Sequence, residues 1–137
     1  MRDTWRAMPP ENVDIVRSIY ADPRGLTGSD KVAPHAVFDF SEVYPDSPIA
    51  RGVEELLRFR DGGPWSGSPI RFEPERFLEI DNERVLVLLR ISATGHKSGV
   101  TVDIRAAHEI TIRDKVLVRF KAYDNAAEAL EAVGLSE

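Results

Sequence analysis

Residues Asn82 to Asp124 read NERVLVLLRISATGHKSGVTVDIRAAHEITIRDKVLVRFKAYD and contain three β-rich runs. Two turn signals separate the runs, TGHKSG at 94–99 and RDK at 113–115. The stretch therefore predicts a three-stranded antiparallel meander. In the middle run, one row of alternate side chains is apolar except for a single histidine. This row consists of Val100, Val102, Ile104, Ala106, His108, Ile110 and Ile112.

The rest of the chain predicts helices and strands around this meander. Apolar spacing, proline and glycine positions predict helices at 9–21, 52–59 and 125–133, and strands at 36–40 and 70–80. Pro74 indicates that the second of these strands is an edge strand or carries a bulge. Helices come first and strands mostly later, which favours one α+β domain over residues 1–137, with residues 1–9 as a mobile arm. We expect one curved antiparallel sheet with its helices on one face.

The composition excludes several classes of protein. The chain has 137 residues, of which 42% are apolar and 30% charged, as in an ordinary globular domain. It has no cysteine, which excludes disulfides, thiolate metal sites and a cysteine nucleophile. A net charge of −5 with scattered basic residues argues against nucleic-acid binding. No apolar run approaches the roughly 20 residues that span a bilayer. The N-terminal MRDTWRAMPP differs from a signal peptide, so we expect no membrane association and a cytoplasmic location.

Five short phrases are spread over about residues 11–135: ENVDIVRSIY (11–20), RGVEE (51–55), RVLVL (84–88), AHEI (107–110) and YDNAAEAL (123–130). In this order and spacing the chain resembles the SnoaL-like group of the nuclear transport factor 2 (NTF2)-like superfamily. The resemblance implies a cone-shaped, cystatin-like α+β fold: a curved antiparallel sheet wraps N-terminal helices around a ligand cavity, and a short C-terminal helix follows. It also implies a homodimer formed through the outer face of the sheet. Members include polyketide cyclases, ketosteroid isomerases, dehydratases and non-catalytic proteins, so the fold does not determine the activity.

The resemblance also tests one known chemistry. Ketosteroid isomerases use a general-base aspartate after the first strand, a tyrosine on the first helix and a protonated aspartate on a late strand. Matched by motif, these positions hold Phe40, Ile19 and His108. Phe40 and Ile19 have no polar side-chain group, so two of the three catalytic groups are missing. The ketosteroid isomerase mechanism is therefore not expected. The second helix is shorter than in the family, with GLTG at 25–28 in its place, which affects the mouth of the cavity.

His108 is the first candidate for a catalytic residue. An imidazole that titrates near neutrality on an apolar strand face can act as a general acid or base, or donate a hydrogen bond to a ligand carbonyl. The alternative is a structural histidine whose ring is satisfied by a neighbouring strand or helix. The sequence leaves both interpretations open.

Arg90 and Leu88 are candidates because the resemblance implies that the row Leu86, Leu88, Arg90 and Ser92 points into the cavity. Leu88 would then contact the ligand, and Arg90 would stabilise a developing oxyanion as a catalytic residue. The alternative for Arg90, which we slightly favour, is a structural ion pair with Glu109 or Asp103.

In the last predicted strand, the pattern and the resemblance disagree. Pattern alone places Arg119 and Tyr123 outside and the other row in the core, namely Val116, Val118, Phe120 and Ala122. The resemblance implies the reverse, because the outer face of the family is a dimer interface and is also apolar. We follow the resemblance and expect Tyr123 to line the cavity as a catalytic residue and Arg119 to bind the ligand.

Three aromatic residues complete the predicted ligand site. Tyr20 lies on the buried face of the first helix, where we expect a core tyrosine whose hydroxyl lies at the cavity rim and can contact the ligand. Phe40 occupies the position of the family's general base. Trp65 follows the GGP stop at 62–64 and either covers the cavity mouth or packs in the core or an interface.

Three hypotheses for the function follow. The first is a cofactor-independent cyclase, isomerase or dehydratase in which His108 is the acid–base group and Arg90 or Tyr123 stabilises oxyanion charge. The second is a non-catalytic protein that binds an apolar ligand in the same cavity. The third is a dimeric accessory protein whose cavity is filled by its own side chains. No cofactor and no metal ion are expected, because nucleotide-binding and metal-ligand motifs are absent from the sequence. The expected partners are a small-molecule ligand and a second copy of the chain.

Overall fold

The structure is a computed structural model that describes residues 9–43, 49–62, 70–94 and 99–135. The helices in these ranges are α1 (Pro9–Ala21), α2 (Gly25–Gly28), α3 (Val53–Gly62) and α4 (Ala126–Ala132). The strands are β1 (Val32–Asp39), β2 (Ile49–Arg51), β3 (Ile70–Glu79), β4 (Arg84–Thr94), β5 (Thr101–Arg113) and β6 (Val116–Tyr123). Of the predicted arm, residues 1–8 lie outside the described ranges. Among the described residues, no helix has the length and apolar character needed to cross a membrane.

The strands form one curved, open sheet in the order β2-β1-β6-β5-β4-β3. Strands β3 to β6 pair antiparallel in sequence order, which confirms the predicted meander. β1 pairs antiparallel with β2 but parallel with β6, so the sheet is mixed and not wholly antiparallel. Strands joined by a hairpin must run antiparallel, whereas β1 and β6 are separated by the whole meander and are free to pair parallel. The predicted α+β architecture, with N-terminal helices and a short C-terminal helix, is confirmed.

Helices α1 and α3 pack on one face of the sheet, which we call the inner face. Helix α1 contributes Ile15, Val16 and Ile19 at helical spacing, and α3 contributes Leu56. These side chains pack on one alternating row from each strand of the sheet. The sheet residues in this core include Phe38, Val85, Val87, Leu89, Ala106, Ile110, Ile112, Phe120 and Ala122.

Helix α4 packs on the opposite face, which we call the outer face, so the prediction that all helices share one face is wrong. Ala129 and Leu130 of α4 cover Leu86 and Leu88, which are almost completely buried. Strand β4 is therefore apolar on both faces over its central part. The side chain of Asn125 accepts a hydrogen bond of 3.0 Å from the amide of Glu128 and so begins α4 as an N-cap.

The turn between β5 and β6 and the register shift after it determine which side chains of β6 face each side of the sheet. Asp114 and Lys115 have φ angles of 51° and 68°, which is the backbone of a tight two-residue hairpin of type I′. A register shift then follows, because Thr111 pairs with Arg119 while Ile112 pairs with Leu117. This bulge interrupts the alternation of β6 at Val118.

Candidate functional site

His108 lies in the middle of β5 on the inner face, between Val87 of β4 and Ala122 of β6. Its exposed fraction is only 5%. Aromatic rings surround the imidazole: the ring centroid of Phe120 lies 4.4 Å away, and that of Phe72 lies 6.3 Å away. The one polar member of the predicted apolar row is thus enclosed by the core.

The hydroxyl of Tyr20 contacts this histidine directly. Tyr20 occupies the last turn of α1, and the distance between its hydroxyl oxygen and Nδ1 of His108 is 2.5 Å. The two rings are stacked with centroids 5.9 Å apart, and the ring of Phe77 meets Tyr20 edge-on at 6.0 Å. Helix α1 therefore positions the one described side chain that hydrogen-bonds to His108 from outside the sheet.

Burial changes the protonation behaviour of both groups. Desolvation lowers the pKa of His108 from 6.5 to about 3, because the enclosed ring cannot be hydrated as an imidazolium. Desolvation also raises the pKa of the Tyr20 hydroxyl well above its ordinary value of 10.0. Both side chains are consequently neutral at neutral pH. Burial thus moves the pKa of His108 away from neutrality, and its catalytic role stays a prediction.

The second ring nitrogen of His108, Nε2, makes no hydrogen bond with any described residue. No fully shielded side-chain nitrogen or oxygen in the described ranges lacks a partner. The small residual accessibility of the ring therefore includes Nε2. Among the described core residues, this nitrogen is therefore a polar group without a protein partner.

The inner face becomes progressively more open beyond His108. Phe72 pairs with Ile91 across β3 and β4, and its exposed fraction is 51%. Ile70, two residues earlier, is 37% exposed, and Ile91 and Ile104 are half-buried. Exposed aromatic and aliphatic side chains beside one uncompensated polar atom have the composition of a small-molecule site.

Phe40 belongs to the same apolar surface. It follows β1, and its ring lies 5.1 Å from that of Phe59 on α3 and 5.9 Å from that of Phe120. Its predicted contact with a ligand stays a prediction, as does that of Tyr20. Trp65, the third predicted aromatic residue, lies outside the described residues.

Arg90 and Leu88 do not point toward His108, and the prediction of their orientation is wrong. Arg90 is an exposed residue of the outer face and forms the structural ion pair considered above, with Nε 2.7 Å from Oδ1 of Asp103. Leu88 is on the same face beneath α4. The inner face of β4 instead presents Val85, Val87 and Leu89, one position removed from the row that the resemblance implied.

Tyr123 and Arg119 also face outward, contrary to the prediction. The hydroxyl of Tyr123 donates to Oε1 of Glu109 at 3.2 Å, and burial is the main cause that raises its pKa to about 12. Arg119 contacts Oδ2 of Asp39 at 3.1 Å. The row assigned by alternation alone was correct for Phe120 and Ala122, which lie in the inner core.

The outer face carries a separate open groove of about 510 Å³ near the β5–β6 turn. Its two arginines already contact carboxylates, Arg113 with Glu83 at 3.2 Å and Arg119 with Asp39 at 3.1 Å. Both positive charges are thus compensated within the protein. In the described part of the chain, no group of three histidine, aspartate or glutamate side chains could hold a metal ion.

Sequence reasoning identified Tyr20 and His108 separately but missed their contact. It also missed Phe72 and Phe77, whose rings contact His108 and Tyr20 respectively. The spacing of five residues between these two phenylalanines, across a register shift next to Pro74, conceals that both face inward. The proline was the available signal for that shift.

Comparison with known proteins places the fold among solved structures. No protein-family model matches the chain, and no curated protein matches it at a significant level. An NTF2-like protein of unknown function from Burkholderia pseudomallei K96243 has a TM-score of 0.68 and 22% identity, over 90% of this chain and 97% of that chain. A protein from Jannaschia sp. CCS1 assigned as a SnoaL-like polyketide cyclase has a TM-score of 0.68 and 16% identity, over 96% of both chains. TerC, co-crystallised with polyporic acid, has a TM-score of 0.67 and 19% identity, over 90% of this chain and 98% of that chain. The chain therefore has the NTF2-like, cystatin-like fold of the SnoaL-like proteins, as its sequence resemblance implied.

Proposed function

We propose that this protein binds a small, largely apolar molecule in a cavity on the inner face, with His108 as its polar contact. The observation that carries the proposal is the neutral imidazole whose Nε2 has no partner among the described residues and lies beside an exposed apolar surface. Small-molecule sites have this composition, with apolar walls and a few polar groups that orient the ligand.

The exposure of Phe72 supports the apolar part of the site. Phe72 is a large aromatic side chain that is 51% exposed and adjoins a buried core. When a ligand covers this ring, the burial of apolar surface contributes favourably to the free energy of binding. Its ring is also near enough to His108 for one ligand to contact both residues. The aromatic walls therefore favour an apolar ligand with a planar or polycyclic skeleton over a highly charged ligand.

Binding is tested by thermal unfolding with a panel of compounds: polyporic acid, polycyclic ketones, aromatic polyketides, fatty acids and small hydroxy acids. A ligand at 100 times its dissociation constant stabilises the folded state by about 2.7 kcal/mol. We expect Phe72→Ala to reduce this stabilisation and Arg90→Ala, on the outer face, to leave it unchanged. Stabilisation by no compound, or equal loss in both variants, would contradict the proposal. If no compound changes the unfolding temperature, the result also favours an accessory protein whose cavity is filled by its own side chains.

A second candidate function is a cofactor-independent isomerase, cyclase or dehydratase. A neutral imidazole N–H can polarise a bound carbonyl and stabilise the charge that develops on its oxygen. Catalysis also needs a base, and no described carboxylate is hydrogen-bonded to Tyr20 or His108. Mass spectrometry of any bound compound after prolonged incubation separates the two functions, since an enzyme converts the compound and a binding protein returns it unchanged.

The homodimer and the cytoplasmic location implied above are also proposals. Sedimentation equilibrium of the full chain tests the first, and fractionation of the producing cells tests the second. Exposed ion pairs on the outer face, such as that between Arg90 and Asp103, would be desolvated in a dimer that uses this part of the sheet. A dimer whose stability is insensitive to Arg90→Ala would therefore use another part of that face.

A further inference from the structure

The contact between Tyr20 and His108 involves two protons. A neutral tyrosine carries one O–H, and a neutral imidazole carries one N–H on either Nδ1 or Nε2. The hydroxyl lies 2.5 Å from Nδ1, so only one of the two groups can place its proton between them. The arrangement of the other proton then depends on which group donates.

In the first arrangement, the Tyr20 hydroxyl donates to Nδ1 and the imidazole proton is on Nε2. The tyrosine proton then lies in the hydrogen bond to Nδ1. The imidazole proton lies on Nε2, at the accessible side of the ring. In the second arrangement, Nδ1–H donates to the tyrosine oxygen. The tyrosine proton then needs another acceptor, and no other described residue accepts a hydrogen bond from Tyr20. An unpartnered hydroxyl in a partly buried position carries a desolvation penalty, which disfavours this arrangement.

We infer that Tyr20 is a positioning residue: its hydroxyl fixes His108 in the Nε2–H tautomer, so the site presents a hydrogen-bond donor and selects ligands that carry a carbonyl-type acceptor. The inference rests on the proposed function and specifies the ligand class of the same site. A ketone, quinone or ester carbonyl on an apolar skeleton matches a neutral N–H among phenylalanine rings. An ammonium group does not, because it can only donate. The second arrangement would present a bare nitrogen and select donors instead.

The tautomer can be measured without any ligand. Two-bond proton–nitrogen correlation spectra of the ¹⁵N-labelled full chain at pH 7 distinguish a protonated from an unprotonated ring nitrogen. We expect Nε2 of His108 to be protonated and Nδ1 to be unprotonated in the wild type, and the two tautomers to mix in Tyr20→Phe. Tyr123→Phe is the matched control, because it removes a buried hydroxyl from the outer face and should leave the His108 signals unchanged. Protonation of Nδ1 in the wild type, or the same tautomer in Tyr20→Phe, would overturn the inference.

The ligand class is tested with a pair of compounds that share one polycyclic skeleton and differ only in a ketone oxygen. We expect the wild type and Tyr123→Phe to bind the ketone roughly ten-fold more tightly than the hydrocarbon, as one net hydrogen bond allows. Tyr20→Phe should reduce this preference. Equal affinity for the two compounds in the wild type would overturn the selectivity. If neither compound nor any other of the panel binds, the proposed function fails, and the tautomer measurement still decides the role of Tyr20.

Discussion

Acidification from pH 7 to pH 5 should destabilise the fold through His108. The folded chain resists protonation of this ring down to a pKa of about 3, whereas the unfolded chain takes up the proton near 6.5. The unfolded state therefore binds more protons between these values, and the stability falls as the pH falls through this window. At pH 5 the difference spans about 1.5 pH units, which at about 1.4 kcal/mol per unit gives a loss of about 2 kcal/mol.

Carboxylates contribute little over the same interval. A hydrogen bond from the Glu83 amide lowers the pKa of Asp81, and one from the Arg90 guanidinium lowers that of Asp103. Their stabilising contributions are present above the unfolded pKa of about 3.9 and are lost as the pH falls below it. Most of the change between pH 7 and pH 5 is thus attributable to buried histidine.

Urea unfolding at both pH values measures this loss in the wild type, His108→Asn and His35→Asn. Asparagine at 108 keeps an acceptor for the Tyr20 hydroxyl but has no titratable ring, so its stability should differ little between the two pH values. His35 is exposed on β1, and its replacement should retain the wild-type loss of about 2 kcal/mol. A wild-type loss below about 0.5 kcal/mol, or an equal loss in His108→Asn, would refute the burial argument.

Three further substitutions, the first with a matched control, test the fold by urea unfolding. Leu88→Ala removes a side chain that is 2% exposed beneath α4 and should cost about 2–5 kcal/mol. The control Arg90→Ala breaks an exposed ion pair on the same face and should cost far less. Equal costs would contradict the packing of α4 on the outer face. Asn125→Ala removes the N-cap of α4 and should cost about 1 kcal/mol; no change would mean that the cap is not formed in solution. Gly52→Ala places a Cβ 3.1 Å from the carbonyl oxygen of Pro34 at a φ of 98°, so a loss of about 1–3 kcal/mol is expected and an unchanged stability would contradict this backbone.

The elements that the sequence predicted well are determined by local signals. Helix α1 begins at Pro9 and ends at Ala21 as predicted, because apolar spacing and the flanking prolines and glycine are properties of adjacent residues. The hairpin between β5 and β6 likewise depends on a short turn between two alternating runs. Such signals need no information about the partner on which an element packs.

The sidedness of β4 and β6 could not be predicted in the same way. The run VLVLL at 85–89 is buried on both faces, so it has no polar residue to indicate which row faces the helices. An error of one residue in the assignment of a strand moves every side chain to the other face. The resemblance led to this error in β4, and Leu88 and Arg90 were therefore predicted to point into the cavity. In β6, alternation identified Phe120 and Ala122 correctly, and the resemblance misled because α4 and a set of ion pairs make the outer face of this chain different from an apolar dimer surface.

The contact between Tyr20 and His108 joins residues 88 positions apart, and neither pattern that identified them carries information about the other. Sequence alone could therefore treat His108 only as an average histidine with a pKa near neutrality, which left acid–base, hydrogen-bonding and structural roles open. Enclosure by Phe120, Phe72 and Tyr20 favours the hydrogen-bonding role, since a ring that stays neutral at pH 7 exchanges protons poorly but donates a hydrogen bond well. The polar group of the site is thus suited to holding an oxygen atom, which makes recognition of a carbonyl the property to measure before any turnover.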